Sequence, residues 1–327
     1  MPHKVDFKIP TRTQTDSGSA RNVGFELEFT GISLDTTIDV VTHALNGREH
    51  TRSVAHAEIE VQELGMFNVE LDWNFLKQKA AASDQKGEDE WLELLSQTAA
   101  LLVPMEVVCP PVNMQTMENL DGLVAQLREA GAVGTEDSLI AAYGVHINAE
   151  TPSLELATIR AYVEAFGLLQ WWLVDEHQVD LARRVSPYID LYPEAYLKEL
   201  FAAEYASIDE FMDEYLKHNA SRNRALDLLP LLAHLDEERV HRAVADTKIK
   251  ARPTYHYRLP NCQIDKPHWS LAQIWNTWWV VEELANMPDE LQHLKRKFLT
   301  MSRPILGVSR GDWTQVIHTW AKSKNLI

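Results

Sequence analysis

An α+β fold, with helices packed on one face of a curved, mostly antiparallel sheet and a site on its concave polar face, is what this sequence predicts. Three observations carry that expectation. First, four short stretches alternate apolar with charged or amide side chains: Gly24-Phe25-Glu26-Leu27-Glu28-Phe29, Phe67-Asn68-Val69-Glu70-Leu71-Asp72-Trp73, Val145-His146-Ile147-Asn148-Ala149-Glu150 and Tyr255-His256-Tyr257-Arg258-Leu259. Strand side chains alternate faces, so each stretch has one face to bury and one polar face. Such half-polar strands suit an antiparallel sheet covered on one side better than a parallel sheet buried on both. Second, helical patterns of varied length separate the strands, with no repeated βαβ unit. Third, the polar faces collect Glu, Asp, His, Asn and Arg instead of the Thr, Lys and Ser of an ordinary solvated face.

The elements follow in order. Residues 1–20 are polar, broken by Pro2 and Pro10 and without an apolar signal core, and read as a flexible tail. Residues 21–31 form the first strand, and 36–46 an amphipathic helix stopped by Gly47. The alternation over 58–73 predicts a bent strand or hairpin around Gly65. A charged, small-residue link (77–90) leads to a short helix at 91–102, and 105–108 is a strand closed by Pro110-Pro111. Residues 117–130 are helical, with Gly131 as C-cap. After the strand at 143–150, Pro152 and Ser153 open a long apolar helix to about 174. Residues 192–217 read as an acidic helix. The helix at 271–284 carries Leu271, Ile274, Trp275, Trp278 and Val281 at helical spacing. The pairs Trp171-Trp172 and Trp278-Trp279 read as helix core in preference to a stacking platform. Residues 21–327 are expected to form a single domain.

Composition narrows the function. The 327 residues include 31 basic and 48 acidic side chains, a net charge of −17. That balance excludes a general nucleic-acid binder, which needs a basic stripe to displace counterions. Two cysteines, Cys109 and Cys262, are too few for a disulfide scaffold or a thiolate zinc site. No apolar run reaches the length of a membrane span, since Gln170 interrupts 165–174. The expectation is a cytoplasmic protein with neither nucleic-acid nor membrane partners; its oligomeric state is not legible.

Glu26 and Glu28 sit two apart and project the same way. Two such carboxylates raise each other's pKa unless a cation lies between them. Hard cations take oxygen ligands and keep waters for a substrate phosphate. Glu70, Asp72 and Glu106 are further oxygen donors on neighbouring strands, His146 a nitrogen ligand or phosphate donor, and Asn148 an amide. Arg258 offers a planar fork for phosphate or carboxylate. Neither a Walker A loop nor G-x-G-x-x-G is present, so a nucleotide would be held through metal and arginine. Glu58 and Glu60 read as a solvated strand face. Arg222 and Arg224 could serve nucleotide, a substrate carboxylate or surface salt bridges. Arg183 and Arg184 stand in the same position, with the surface salt-bridge reading ahead, and Asp265 reads as a solvated loop residue in preference to a base for an amine.

The motifs resemble one family in order and spacing across roughly residues 21–285. Asn22-Val23-Gly24-Phe25-Glu26-Leu27-Glu28-Phe29 looks like the G-x-E-x-E opening strand of carboxylate–amine ligases related to glutamine synthetase and glutamate–cysteine ligase. Met105-Glu106-Val107-Val108-Cys109-Pro110-Pro111 resembles their E-[LIV]-[VI]-[ST]-P-P segment, and Tyr143-Gly144-Val145-His146-Ile147-Asn148 their G-[LV]-H-[IV]-[NH] strand. Tyr255-His256-Tyr257-Arg258-Leu259-Pro260-Asn261 resembles F-E-x-R-x-P-[ND]. The closest subgroup is the amidoligase family, to which Arg222-Asn223-Arg224-Ala225-Leu226-Asp227-Leu228 is also similar. The resemblance implies a glutamine-synthetase-like catalytic fold and two or three divalent cations, Mg²⁺ or Mn²⁺, bridging ATP phosphates. It implies Glu26, Glu28 and Glu106 as metal ligands, His146 at phosphate or metal, and Arg258 on the transferred phosphoryl group. His256 stands where the relatives carry a metal-binding Glu, and Cys109 where they carry Ser or Thr. The implied reaction joins a small-molecule or peptide carboxylate to an amine. Two rival readings stay open from the residues: metal-assisted hydrolysis, and a nucleotide- or metal-binding relic, for which His256 speaks.

Overall fold

The computed structural model describes residues 5–71, 103–135, 144–179, 183, 189–246 and 248–327. The link at 77–90, the helix expected at 91–102, and Asp72 and Arg184 lie outside them. Ten α-helices and nine strands occur among the described residues, in an α+β arrangement with a mostly antiparallel sheet. The chain divides into two compact units. The first comprises Met1–Asp6, Val23–Ile147 and Pro260–Gln273; the second comprises Phe7–Asn22, Asn148–Leu259 and Ile274–Ile327.

In the first unit, β1 (Asn22–Phe29) pairs antiparallel with β5 (Met105–Val108), and β5 with β4 (Gly65–Leu71). The ladder continues through β3 (His56–Val61) to β2 (Arg48–Arg52), and the short β6 (Val112–Asn113) pairs with β1. The expected hairpin is present: Leu64 N–H donates to Val61 O at 3.1 Å, and Gly65 adopts φ +108° to turn the chain. Alternation decides the two faces. Phe25, Leu27, Phe29, Val69, Leu71, Met105 and Val107 are buried, while Glu26, Glu28, Glu70 and Glu106 are partly exposed.

Helix α1 (Leu34–Ala44) packs against β3 and β4 and buries Thr37, Ile38 and Val41. It starts two residues earlier than 36–46 predicts because the Ser33 hydroxyl caps it, accepting from Thr36 N–H at 3.1 Å. The helix expected at 117–130 is two pieces, a 3₁₀ turn (Met117–Leu120) and α2 (Asp121–Glu129). Gly131 sits one residue beyond the cap Ala130, at φ +100°, with its N–H on Arg128 O. Strand β7 (Val145–Glu150) crosses the division between Ile147 and Asn148.

The second unit is mainly helical. Helix α3 (Leu156–Glu176) is buried on nearly all sides from Tyr162 to Leu173, as an all-round apolar helix must be. The acidic stretch at 192–217 forms two helices, α4 (Glu194–Ala202) and α5 (Ile208–Asn219). Ala203 turns extended, and Ser207 caps α5 by accepting from Glu210 N–H, so local capping defeats a continuous helix. Strand β8 (Leu226–Asp227) pairs antiparallel with β9 (Thr254–Tyr257). Between them lie α6 (Leu229–Leu235) and α7 (Glu237–Ala243). Helices α8 (Leu271–Ala285), α9 (Pro288–Met301) and α10 (Arg310–Ser323) end the chain. Trp172, Trp275 and Trp278 are buried, which makes them core. No described helix is long and apolar enough to cross a membrane.

Residues 8–11, read from sequence as part of a tail, make specific contacts, as does Arg21 just beyond it. Lys8 N–H donates to Asn276 Oδ1, Thr11 N–H and hydroxyl to the Glu283 carboxylate, and Trp275 Nε1 to Lys8 O. Arg21 is wholly buried in an ion pair with Glu282 at 2.9 Å, and Glu282 also accepts from Tyr162 and Trp278. Such a pair persists only because hydrogen bonds satisfy it on all sides.

A pH prediction arises from His177, which follows α3 and lies 2.7 Å through Nε2 from the Tyr257 hydroxyl. Burial, aided by the charge of Arg183, holds its pKa down at about 3. Unfolded histidine titrates near 6.5, so the unfolded chain binds more protons between those values. Stability is then fullest above about pH 6.5 and falls as pH drops towards 3. His177→Gln keeps an acceptor for Tyr257 without titrating. Urea melts between pH 7 and 4 should show a shallower decline for the variant; an identical decline would place the acid sensitivity elsewhere.

Candidate active site

The carboxylates of the first unit stand in register. Glu28 of β1 faces Glu106 of β5, and Glu106 faces Glu70 of β4, so three acids form one row across three neighbouring strands. The next row runs Glu26–Val108–Asn68. Like charges directly opposite one another destabilise a sheet, so a row of three is a costly surface that a cation would relieve.

β7 adds His146, 5% exposed. Its Nδ1 lies 2.7 Å from Glu26 Oε2, and its Nε2 lies 3.7 Å from Glu28 Oε1. A proton on Nδ1, donated to Glu26, leaves the lone pair on Nε2, the form a metal requires. Glu28 Oε2 accepts from Gly144 N–H at 2.8 Å, which fixes its carboxylate. Glu28, Glu106 and His146 each bring a donor atom to within 4.8 Å of the others. Two carboxylate oxygens and an imidazole nitrogen at that spacing fit a divalent ion. The two glutamates meet different nitrogens of one ring: Glu28 belongs to this trio, and Glu26 lies against His146 Nδ1. Cys109, after β5, is buried, and burial together with nearby Glu26 pushes its thiol pKa well up, so it is no thiolate nucleophile.

The second unit gathers the remaining candidates. Asn148 Oδ1 accepts from Arg252 Nη2 at 2.8 Å and lies 2.7 Å from His256 Nδ1, which must carry the proton for that contact. His256 faces Asp227 across the β8–β9 ladder, so these side chains share a face. Asp227 is 2% exposed and accepts from Leu229 N–H at 2.9 Å. Burial raises its pKa to about 6, against the opposing pull of Leu229 N–H and the charges of Arg258, Arg222 and Arg252. Arg258, two residues after His256, donates from Nη1 to Arg222 O at 2.7 Å. Its Nε is buried with no hydrogen-bond partner among the described residues, the kind of donor an oxyanion would satisfy.

The other arginines differ. Arg222 reaches Asp246 at 3.5 Å. Arg224 donates to Leu191 O at 3.0 Å and to His218 O at 2.8 Å, and its Nε, like that of Arg258, is buried with no hydrogen-bond partner among the described residues. Glu70 stands at the end of the acidic row, and Asp72 lies outside the described residues. Sequence reasoning gave no role to Asp227 or Arg252. Arg252 had a legible signal, since 252, 256 and 258 share parity on the approach to β9. Asp227 had none, because only strand pairing sets it opposite His256.

A family model described as "Putative amidoligase enzyme" matches residues 19–280, more than half of the chain. No curated protein and no solved structure matches it. The matched span contains every site residue described above. On that match, the chain belongs to the amidoligase family.

Proposed function

We propose that this protein is an ATP- and Mg²⁺-dependent carboxylate–amine ligase of glutamine-synthetase-like fold. The observation that carries the reading is the in-register row Glu70–Glu106–Glu28 beside His146. Glu28, Glu106 and His146 would hold a divalent ion, with Glu70 as a further oxygen donor and Glu26 fixing the imidazole. When bound, Mg²⁺ neutralises phosphate oxygens and aligns them for transfer.

The chain's own residues do the rest. Arg258 offers its fork to the transferred phosphoryl group, with its buried Nε supplying an extra donor. Asn148 holds the proton of His256 on Nδ1, which makes Nε2 the basic nitrogen of that ring. A substrate carboxylate oxygen attacks the γ-phosphorus, the bond to ADP breaks, and an acyl phosphate forms. The amine nitrogen then attacks the acyl carbon, phosphate departs with the bonding pair, and the amine gives up a proton. The substrates are small-molecule or peptide carboxylates and amines, and the protein would act in the cytoplasm. Catalysis of this kind is alignment and charge neutralisation.

The reading expects Mg²⁺ and ATP to bind together and neither to bind tightly alone, because no glycine-rich loop cradles phosphate. Titration calorimetry with ATP, in Mg²⁺ and in excess chelator, checks this; tight binding in chelator would sink it. An ADP-release assay over carboxylate and amine pairs then separates the rivals. Products formed without ATP would favour a hydrolase, and ATP binding with no turnover on any pair would favour a relic.

A further inference from the structure

Arg183 is 2% exposed in the second unit, and both terminal nitrogens of its guanidinium reach main-chain oxygens of two consecutive residues. Nη1 donates to Leu259 O at 2.7 Å and Nη2 to Arg258 O at 2.8 Å. Burying a guanidinium is costly even after relaxation. What the charged fork adds is geometry, because its two parallel N–H groups accept only one relative placement of the two carbonyls. The same short stretch is held from other directions as well. Arg258 N–H donates to Ala225 O at 2.9 Å, and Arg258 Nη1 to Arg222 O at 2.7 Å. Arg258 is therefore fixed at its amide, its carbonyl and one tip of its head. A long side chain with free rotors reaches a reacting group reproducibly only when its Cα and its head are both pinned.

We propose that Arg183 is a positioning residue for Arg258, gripping its carbonyl and the next so that the Arg258 fork is presented in one orientation to an anionic phosphoryl group. The inference rests on the reading of Arg258 as the phosphate contact. It uses a residue that sequence alone assigns to a solvated surface.

The test measures affinity for the ATP analogue AMP-PNP in Mg²⁺ by calorimetry for the wild type and for Arg183→Lys, Arg258→Lys and the double variant. Lysine keeps the buried charge but cannot span both carbonyls. Arg183→Lys is expected to weaken binding about 10- to 100-fold, the usual cost of losing an orienting partner. The double variant should bind no worse than Arg258→Lys alone, because both changes act through one side chain. Additive losses would mean that Arg183 acts through general stability, which overturns the proposal. So would wild-type affinity in Arg183→Lys beside weak binding in Arg258→Lys. Wild-type affinity in Arg258→Lys itself would instead overturn the phosphate reading of Arg258. Should Arg183→Lys fail to fold, Arg183→Gln, which can still donate to one carbonyl, takes its place in the same cycle.

Discussion

Glu106→Gln is expected to raise the melting temperature of the metal-free protein and to abolish Mg²⁺-dependent binding of ATP. Glu106 is the middle of the acidic row, with Glu28 on one side and Glu70 on the other. Each directly opposed like-charge pair costs about 0.2–1 kcal/mol. Replacing the central acid with an amide of the same shape removes two such pairs at once, an upward shift of a few degrees. The same change takes one oxygen donor out of the Glu28–Glu106–His146 trio. The wild type should melt higher when Mg²⁺ and ATP are added, because a ligand bound only to the folded state stabilises it by mass action, and the variant should not. Scanning calorimetry with and without Mg²⁺·ATP reads both effects in one experiment. A lower melting temperature in the metal-free variant would identify Glu106 as a structural acceptor and remove the cation from the argument. Glu60→Gln is the matched control: Glu60 is exposed on β3, pairs with Arg48 and Met66, and should be nearly silent.

Arg258→Lys should leave the melting temperature close to that of the wild type and lower ADP formation by roughly two to three orders of magnitude, the loss found when one transition-state donor is removed. Lysine retains the positive charge, so charge alone is held constant in the comparison. It lacks the planar fork, and with it the Nε donor that is buried without a partner among the described residues. A large loss of stability would show that Arg258 serves chiefly to hold Arg222 and the β8 approach. Unchanged turnover would show that the phosphoryl group is neutralised elsewhere.

Much of this was written locally. The period-two alternation in Gly24-Phe25-Glu26-Leu27-Glu28-Phe29 fixes which side chains are buried and which face the other way, whatever the partner strand. The same holds for the hairpin around Gly65 and for α8, whose stripe of Leu271, Ile274, Trp275, Trp278 and Val281 is buried. Capping moved boundaries that pattern alone misjudged: Ser33 starts α1 early, and Ser207 divides the acidic stretch at 192–217 into two helices. Side-chain hydrogen bonds to single N–H groups set those ends, and a hydrophobic period does not register them.

The sequence by itself determined the residue types of the candidate site, their parity on each strand and the family to which the chain belongs. Tertiary structure decided who meets whom, because register is a relation between strands that no single strand encodes. It set Glu28, Glu106 and Glu70 in one row and left Glu26 in the next, where it holds a histidine instead of joining the trio. It placed Asp227 opposite His256 and sent Arg224 to main-chain carbonyls. It also buried Arg183 against the carbonyls of Arg258 and Leu259, which from sequence had looked like an ordinary surface cation. A charged side chain reads as solvated until the fold supplies the acceptors that let it be buried.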